Sequence, residues 1–533
     1  MLSSNRFFVA LCCSIALAAS STPAAAQLET FTLPLPNPGS GIHRPDLQAS
    51  FPEVDWQTLD RLYIPAGHFK YIRLGNLPIR SADNPLVISN IGGQVRVGGL
   101  GHYYTFIIGG GANWKLTGKY DGDAATGDAA FPGHDAGYAH SQDTYGILID
   151  DFLDTEGATC LVVGGEATDF EIEYLEIRGC NFAGMSIKTD DDGDATMANV
   201  SIHDNYIHDV KSEGFYIGST QGEPQHTFTN LRLYNNRVIR TGTEILQVGQ
   251  LGDGSEIYNN VFLLGALEWK NPFQNFQDNA SQYGGRFGDI SVHHNIFIGG
   301  ASSMLIFFGQ GRTGDIHDPA DTQSIAHNYF SHGRNTGVYV HSSADGVSTY
   351  RFEGNSFRQL IFQYNEVNPG NPNHNAVFRV FNTENPIELI DNRWDGGQVF
   401  TAGSPSAQIV QSGNVNGPIP PVEFVDSGFP ADFDYLRVEL WTDLDYNGAA
   451  VTYEVDDYVT HEGQLYKALA VNDGRLPPDS PDVWQLQPMP ADDVRLAVNS
   501  PFQGYGLLDN PGNAFFVDGF ESGNLSAWSA VFP

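Results

Sequence analysis

The densest set of reactive groups in the chain lies in IEYLEIRGCNFAGMSIKTDDDGDA, where Lys188 is followed by Asp190, Asp191, Asp192 and Asp194. With Met185 and Ile187 facing inward on a short strand, alternation turns Ser186 and Lys188 outward. A lysine beside a run of carboxylates suits a base held near a cation, whose charge favours the neutral amine. Proton abstraction next to a carboxylate needs that charge neutralised, a base for the proton, and an acid for the leaving oxygen. About one repeat on, IHDNYIHDVKSEGFYIGST offers Glu213 and Tyr216 near the same face, and the next repeat offers Gln247. Stacking would align Ser186, Tyr216 and Gln247, with Tyr216 a candidate acid or sugar contact and Gln247 a substrate contact. The stretch 266–288 adds Trp269 and Lys270 as substrate contacts and Arg286 as a carboxylate partner. Glu213 with Asp190 or Asp192 is also the kind of carboxylate pair, roughly 5 to 9 Å apart, that glycoside hydrolysis uses.

Asp190 and Asp192 are candidate calcium ligands. A second candidate is DLDYNGAAVTYE, where Asp443, Asp445, Asn447 and Glu454 match alternate acidic positions and the closing glutamate of a calcium loop. Its flanks read as strands, and the same residues suit a β-turn. His203, His208, His293, His294 and His341 sit at or near corners of the repeat and read as turn caps rather than zinc ligands.

The elements that must position these groups repeat. HDNYI, YNNRV, YNNVF, HHNIF, AHNYF, EGNSF and IDNRW place Asn205, Asn236, Asn260, Asn295, Asn328, Asn355 and Asn392 at intervals of 31, 24, 35, 33, 27 and 37 residues. GCNFAG adds Asn181 another 24 residues upstream. A floor near one short coil with variable excess means stacked coils whose insertions are confined to turns. Each coil carries a second β-like run, as in AGMSIKT, EGFYIGS, EILQVGQ, SMLIFFG and TGVYVHS. Asparagine tolerates left-handed backbone angles and suits the corner between strands, and stacked amides form a ladder. The pattern resembles the right-handed parallel β-helix of the pectate lyase-like superfamily over roughly residues 55–425. That resemblance implies an all-β solenoid with a polysaccharide in its groove. It also implies β-elimination on a uronate polymer, with lysine or arginine as base and calcium or arginine neutralising the carboxylate. The alternatives are a glycoside hydrolase on the same scaffold and a glycan-binding surface protein without catalysis.

Residues 1–26, with Arg6, an apolar run and Ala24-Ala25-Ala26, read as a secretory signal. This implies export, and no later stretch is apolar for long enough to span a membrane. The tail VDGFESGNLSAWS is similar to a short C-terminal signature of some secreted Gram-negative proteins, which implies such a source. Cys160 and Cys180 remain as either a disulfide or two buried thiols. With 63 acidic and 27 basic residues, the net charge of −36 argues against nucleic acid and anionic membranes as partners. A polyanionic sugar would then need a local basic groove or a bound cation. The rest divides into an N-terminal arm at 27–54, a small module at 426–490, a closing β-helix segment at 491–511 and a tail at 512–533, in a chain expected to be monomeric. The module resembles small chitin- and cellulose-binding modules through Asp457, Tyr458, Val459, Gly463, Tyr466, Ala468, Pro477, Pro478 and Trp484. The resemblance makes Tyr466 and Trp484 candidate sugar-stacking residues, and both equally suit the core of so small a module.

Overall fold

The structure, a computed structural model, describes residues 28–508 except 100–103, 120–142, 153–158, 190–194, 219–225, 272–279, 301–303, 309–317, 342–347, 362–374, 382–384 and 404–407. Asp190 and Asp192 fall outside the described residues, as do the signal-like N-terminus and the tail.

Each coil lays down three short strands on three walls of a parallel β-helix. Wall 1 is a 14-stranded sheet containing Met185–Ile187, Phe215–Ile217, Leu246–Leu251 and Ser281–Gly285. Wall 2 carries Ser201–His203, Arg232–Tyr234, Ser255–Tyr258 and Ile290–His293. Wall 3 carries Tyr206–Val210, Arg237–Thr241, Val261–Leu263 and Ile296–Gly300, and walls 2 and 3 together form a 23-stranded sheet. Every wall pairs in parallel, coil on coil. Among the described residues the only α-helix is Leu47–Ser50. Inward positions stack like on like: Phe262, Phe297, Phe330 and Phe357 pack ring on ring at 4.8, 4.9 and 5.1 Å. No strand buries enough by itself, so stability comes from this shared core.

The asparagines occupy equivalent corners between walls 2 and 3. Asn205 Nδ2 donates to Asn236 Oδ1 at 3.0 Å, and the relay continues through Asn260, Asn295, Asn328, Asn355 and Asn392 to Asn414. In the Asn236 and Asn260 rungs, the same nitrogen also donates to backbone carbonyls of its own and the preceding coil. Asn181 stands outside this ladder. The Asn205 side-chain oxygen Oδ1 receives the Leu175 N–H instead, and Asn181 lies at a different corner, between walls 3 and 1. The left-handed residue is also not the ladder asparagine but the one before it: Asp204, Asn235, Asn259, His294, His327 and Asp391 have φ between 52 and 55°. The ladder position is kept for its amide, and the preceding position for its backbone.

Three boundaries differ from the sequence expectation. Residues 28–54 are part of the solenoid rather than an arm: Thr30–Thr32 pairs in parallel with Arg61–Phe69, and Leu33, Leu47 and Phe51 enter the core. The segment 491–508 adds no coil. Asp493–Leu496 pairs antiparallel with Phe424–Asp426, and the chain then straps across the corner of walls 2 and 3. Between them lies the module, a four-stranded sheet with its own core of Val451, Tyr453, Val459, Tyr466, Ala468, Val483 and Trp484. Cys160 and Cys180, both buried, form a disulfide. Among the described residues, no helix is long and apolar enough to cross a membrane.

Candidate functional site

Wall 1 brings the residues of the Lys188 region together. Its register pairs Ser186 with Tyr216, Tyr216 with Gln247 and Gln247 with Gln282, so these side chains form one column on the outer side of the wall, in which Ser186, Tyr216 and Gln247 are buried. Lys188, two residues beyond Ser186, also faces outward and lays its ammonium over the Tyr216 ring, Nζ 4.7 Å from the centroid. Glycines flank it on the neighbouring coils. A Cβ at Gly164 would lie 2.8 Å from the Lys188 carbonyl oxygen. One at Gly218, where φ is +65°, would lie 2.3 Å from the Gly249 oxygen. The half-buried lysine is thus flanked on both adjacent coils by residues without side chains. Arg286 follows the wall 1 strand Ser281–Gly285 and donates to the Thr227 hydroxyl on the same wall.

The wall has a composition of its own. Not one of its 14 strands contains an aspartate or glutamate. In a chain with 63 acidic residues this leaves a face on which Arg73, Lys188 and Arg379 are not opposed by strand carboxylates.

Other sequence candidates sit elsewhere. Glu213 is buried, 1% exposed, and receives the Ser212 hydroxyl at 2.6 Å, so it lies within the corner before wall 1 rather than on the surface of that wall. Trp269 and Lys270 turn away from wall 1 and dock the module. The Trp269 indole donates to the Val438 carbonyl, its ring lies under the Arg334 guanidinium at 4.0 Å, and Lys270 pairs with Glu439 at 2.6 Å. Burial outweighs that pairing and pushes the Glu439 carboxyl up to about 7. Tyr466 and Trp484 belong to the module core, and Trp484 spends its N–H on the Arg475 carbonyl and its ring on Tyr453, so neither offers a free face to a sugar. The acidic stretch 443–454 forms a turn closed by an antiparallel bridge between Leu444 and Ala450. There Asp445 accepts the N–H groups of Asn447 and Ala449, while the Glu454 N–H donates to Asp457. The residues that match a calcium loop by spacing thus form a turn.

Sequence reasoning did not find the polar cluster on wall 2. Glu171, Glu173 and His203 form the one group of three or more possible metal ligands converging within 4.8 Å among the described residues. Lys115 already answers these carboxylates, at 2.9 Å from Glu171 and 2.7 Å from Glu173. Burial would lower the His203 imidazole, yet hydrogen bonds with Asp204 and Glu171 push it up to about 10. Although burial opposes ionisation of Glu171, His203 and Lys115 hold it down to about 2. Two cations thus neutralise the acids, and the cluster reads as an ion-pair network. A larger network lies under the strap, where Arg240 pairs with Asp209 and Asp492, and Tyr206 donates to Asp492. Of its surroundings, only His208, whose ring stacks on Tyr206, stood out in the sequence. Asp492, the partner that Arg240 and Tyr206 share, is 252 positions from Arg240.

No protein-family model and no curated protein matches the chain. Solved structures share its fold. They include the A-module of a mannuronan C-5 epimerase from Azotobacter vinelandii, 13% identical over 72% of this chain and 97% of that one, TM-score 0.41. An alginate lyase from Paenibacillus is 15% identical over 73% and 99%, TM-score 0.32. A pectate lyase is 8% identical over 84% and 96%, TM-score 0.26.

Proposed function

We propose that the chain is an exported enzyme that binds a uronate-containing polysaccharide along wall 1 and cleaves it by β-elimination. One observation carries the reading: in a protein of net charge −36, the wall that lays Lys188 over Tyr216 has no acidic residue in any strand. A carboxylated polymer is repelled by the rest of the surface and accepted there, which selects both ligand and site. In this reading Lys188 takes the C5 proton, the released electron pair forms the C4–C5 double bond, and the glycosidic oxygen leaves with the proton of the Tyr216 hydroxyl. Arg286, three strand steps along wall 1 from Lys188, pairs with the carboxylate of another sugar of the same chain. Ser186 and Gln247 hold neighbouring hydroxyls.

The burial of Glu213 favours elimination over hydrolysis, because a paired-carboxylate mechanism needs its acids at the substrate. Export belongs to the same reading and is supported by the Cys160–Cys180 disulfide, a bond typical of oxidising compartments. Calcium at the acidic run that follows Lys188 in the sequence is its cofactor element, so turnover should fall in chelator and return with added calcium.

The test is incubation with alginate and polygalacturonate while following ultraviolet absorption of unsaturated chain ends. Absorption should rise with wild type and not with Lys188→Ala. New reducing ends on a neutral glucan without any absorbing product would replace the lyase by a hydrolase.

A further inference from the structure

The Lys188 column continues well past Gln247. From Tyr216 the register steps through Gln247, Gln282 and Ile306 to Tyr339, and from Tyr339 to Arg379. The guanidinium of Arg379 lies over the Tyr339 ring at 4.2 Å and beside the Phe381 ring at 5.7 Å. This repeats the Lys188–Tyr216 arrangement of a cation seated on a tyrosine of the adjacent coil. Five strand steps separate Tyr216 from Arg379, which is ~24 Å at the usual spacing between strands.

Among the described residues, Arg96, Arg178, Arg232, Arg240, Arg351, Arg437, Arg475 and Arg495 each pair with a carboxylate. Among the described residues, Arg379 pairs with no carboxylate, and its guanidinium packs against the two rings. It is half-buried, and Phe381 beside it is 43% exposed. A guanidinium whose stem and plane are fixed by aromatic packing is pre-organised to receive a planar carboxylate through two parallel N–H bonds. The apolar ring edges next to it suit the hydrophobic face of a pyranose.

We propose that Arg379, seated on Tyr339 and flanked by Phe381, is a distal subsite that binds a sugar carboxylate of the same polyuronate chain that Lys188 engages. The inference rests on the reading of wall 1 as the substrate groove. Because the two platforms share one column, the polymer runs along the solenoid axis and crosses the coils between them. The separation exceeds what a di- or trisaccharide can bridge, so the subsite acts on long chains only. Arg379 touches no reacting atom, and its contribution is to affinity and chain-length preference.

Two measurements on the full-length protein test this. In affinity electrophoresis through gels containing polygalacturonate or alginate, wild type should be retarded relative to a gel with neutral glucan. Arg379→Gln should lose most of that retardation, and Arg379→Lys should recover part of it. In turnover of the same polymers, Arg379→Gln should raise KM about tenfold with kcat nearly unchanged, the loss expected for one charge-assisted contact. On trisaccharide the variant and wild type should be equal. Equal retardation of variant and wild type, absence of wild-type retardation in both polyuronate gels, or an equal KM increase on trisaccharide would each overturn the subsite. Failure of the elimination chemistry looks different: retardation that depends on Arg379, with no unsaturated product from any polymer, leaves the subsite standing and removes the lyase.

Discussion

Lys188 stands out on wall 1 because glycines, Gly164 and Gly218, occupy its register positions on both adjacent coils and its ammonium lies over the Tyr216 ring. Replacing it with Ala should therefore lower kcat by ~10² or more, the range for loss of a general base, while the melting temperature stays near wild type because the side chain is at the surface of the wall. A Lys188→Ala protein that cleaves polyuronate normally would remove the lysine from the chemistry. Trp269 offers the reverse case. Its ring is sandwiched against Arg334 and its N–H is spent on the module. Trp269→Ala should cost roughly 3–5 kcal/mol in urea unfolding, as for a large buried aromatic, with KM for the polymer unchanged. A rise in KM without loss of stability would return Trp269 to the substrate.

The unit that decides the fold is the corner, and its ladder can be tested rung by rung. Asn260 is fully buried, donates to Asn295, Leu233 and Tyr258, and accepts from both the backbone and side-chain nitrogens of Asn236. Asn260→Ala leaves several of these groups unmet in a dry interior and should cost roughly 2–4 kcal/mol. Asn414, the half-exposed last rung, should cost clearly less, and equal losses at the two sites would mean that the ladder adds nothing beyond local bonds. This corner was the legible part of the sequence, since a repeated amide with a short period has few other readings. Its details were less so. Asn181 has the right spacing yet belongs to another corner, because sequence distance does not say which of three corners a residue occupies. The Ser186–Tyr216–Gln247 column could be counted over adjacent coils, whereas Arg379 lies beyond several insertions and needed the register itself. Trp269 and Lys270 were misassigned because their partners Val438 and Glu439 come 169 residues later.

At the scale of the molecule, a solenoid is quasi-one-dimensional, each coil touching its neighbours, and the strap at 491–508 breaks that rule. It reaches Arg237 and Arg240 through Asp492, Asn259 through Gly504 and Gly506, His294 through Gly506 and Tyr505, and Tyr329 through Phe502. Coils that would otherwise open independently are thereby tied together. Its weak point is pH. Burial, followed by the charge of nearby histidines, pushes His293 and His294 down to about 4. Between pH 6.5 and 4 the unfolded chain therefore binds more protons than the folded one, and stability must fall as pH falls through that window. Glu439, raised to about 7, works in the opposite direction over part of it, since the folded state takes up its proton first. Carboxylates such as Glu171, held near 2, contribute only below the ordinary glutamate range. Comparison with a variant isolates the histidine share. His294 has φ 55°, so His294→Asn keeps a side chain that accepts the left-handed backbone and removes the titrating ring. The melting temperature of wild type should drop more steeply from pH 6.5 to 4 than that of His294→Asn, with the gap closing above pH 7. Parallel curves for the two proteins would show that protonation at this corner does not govern how the strap is held.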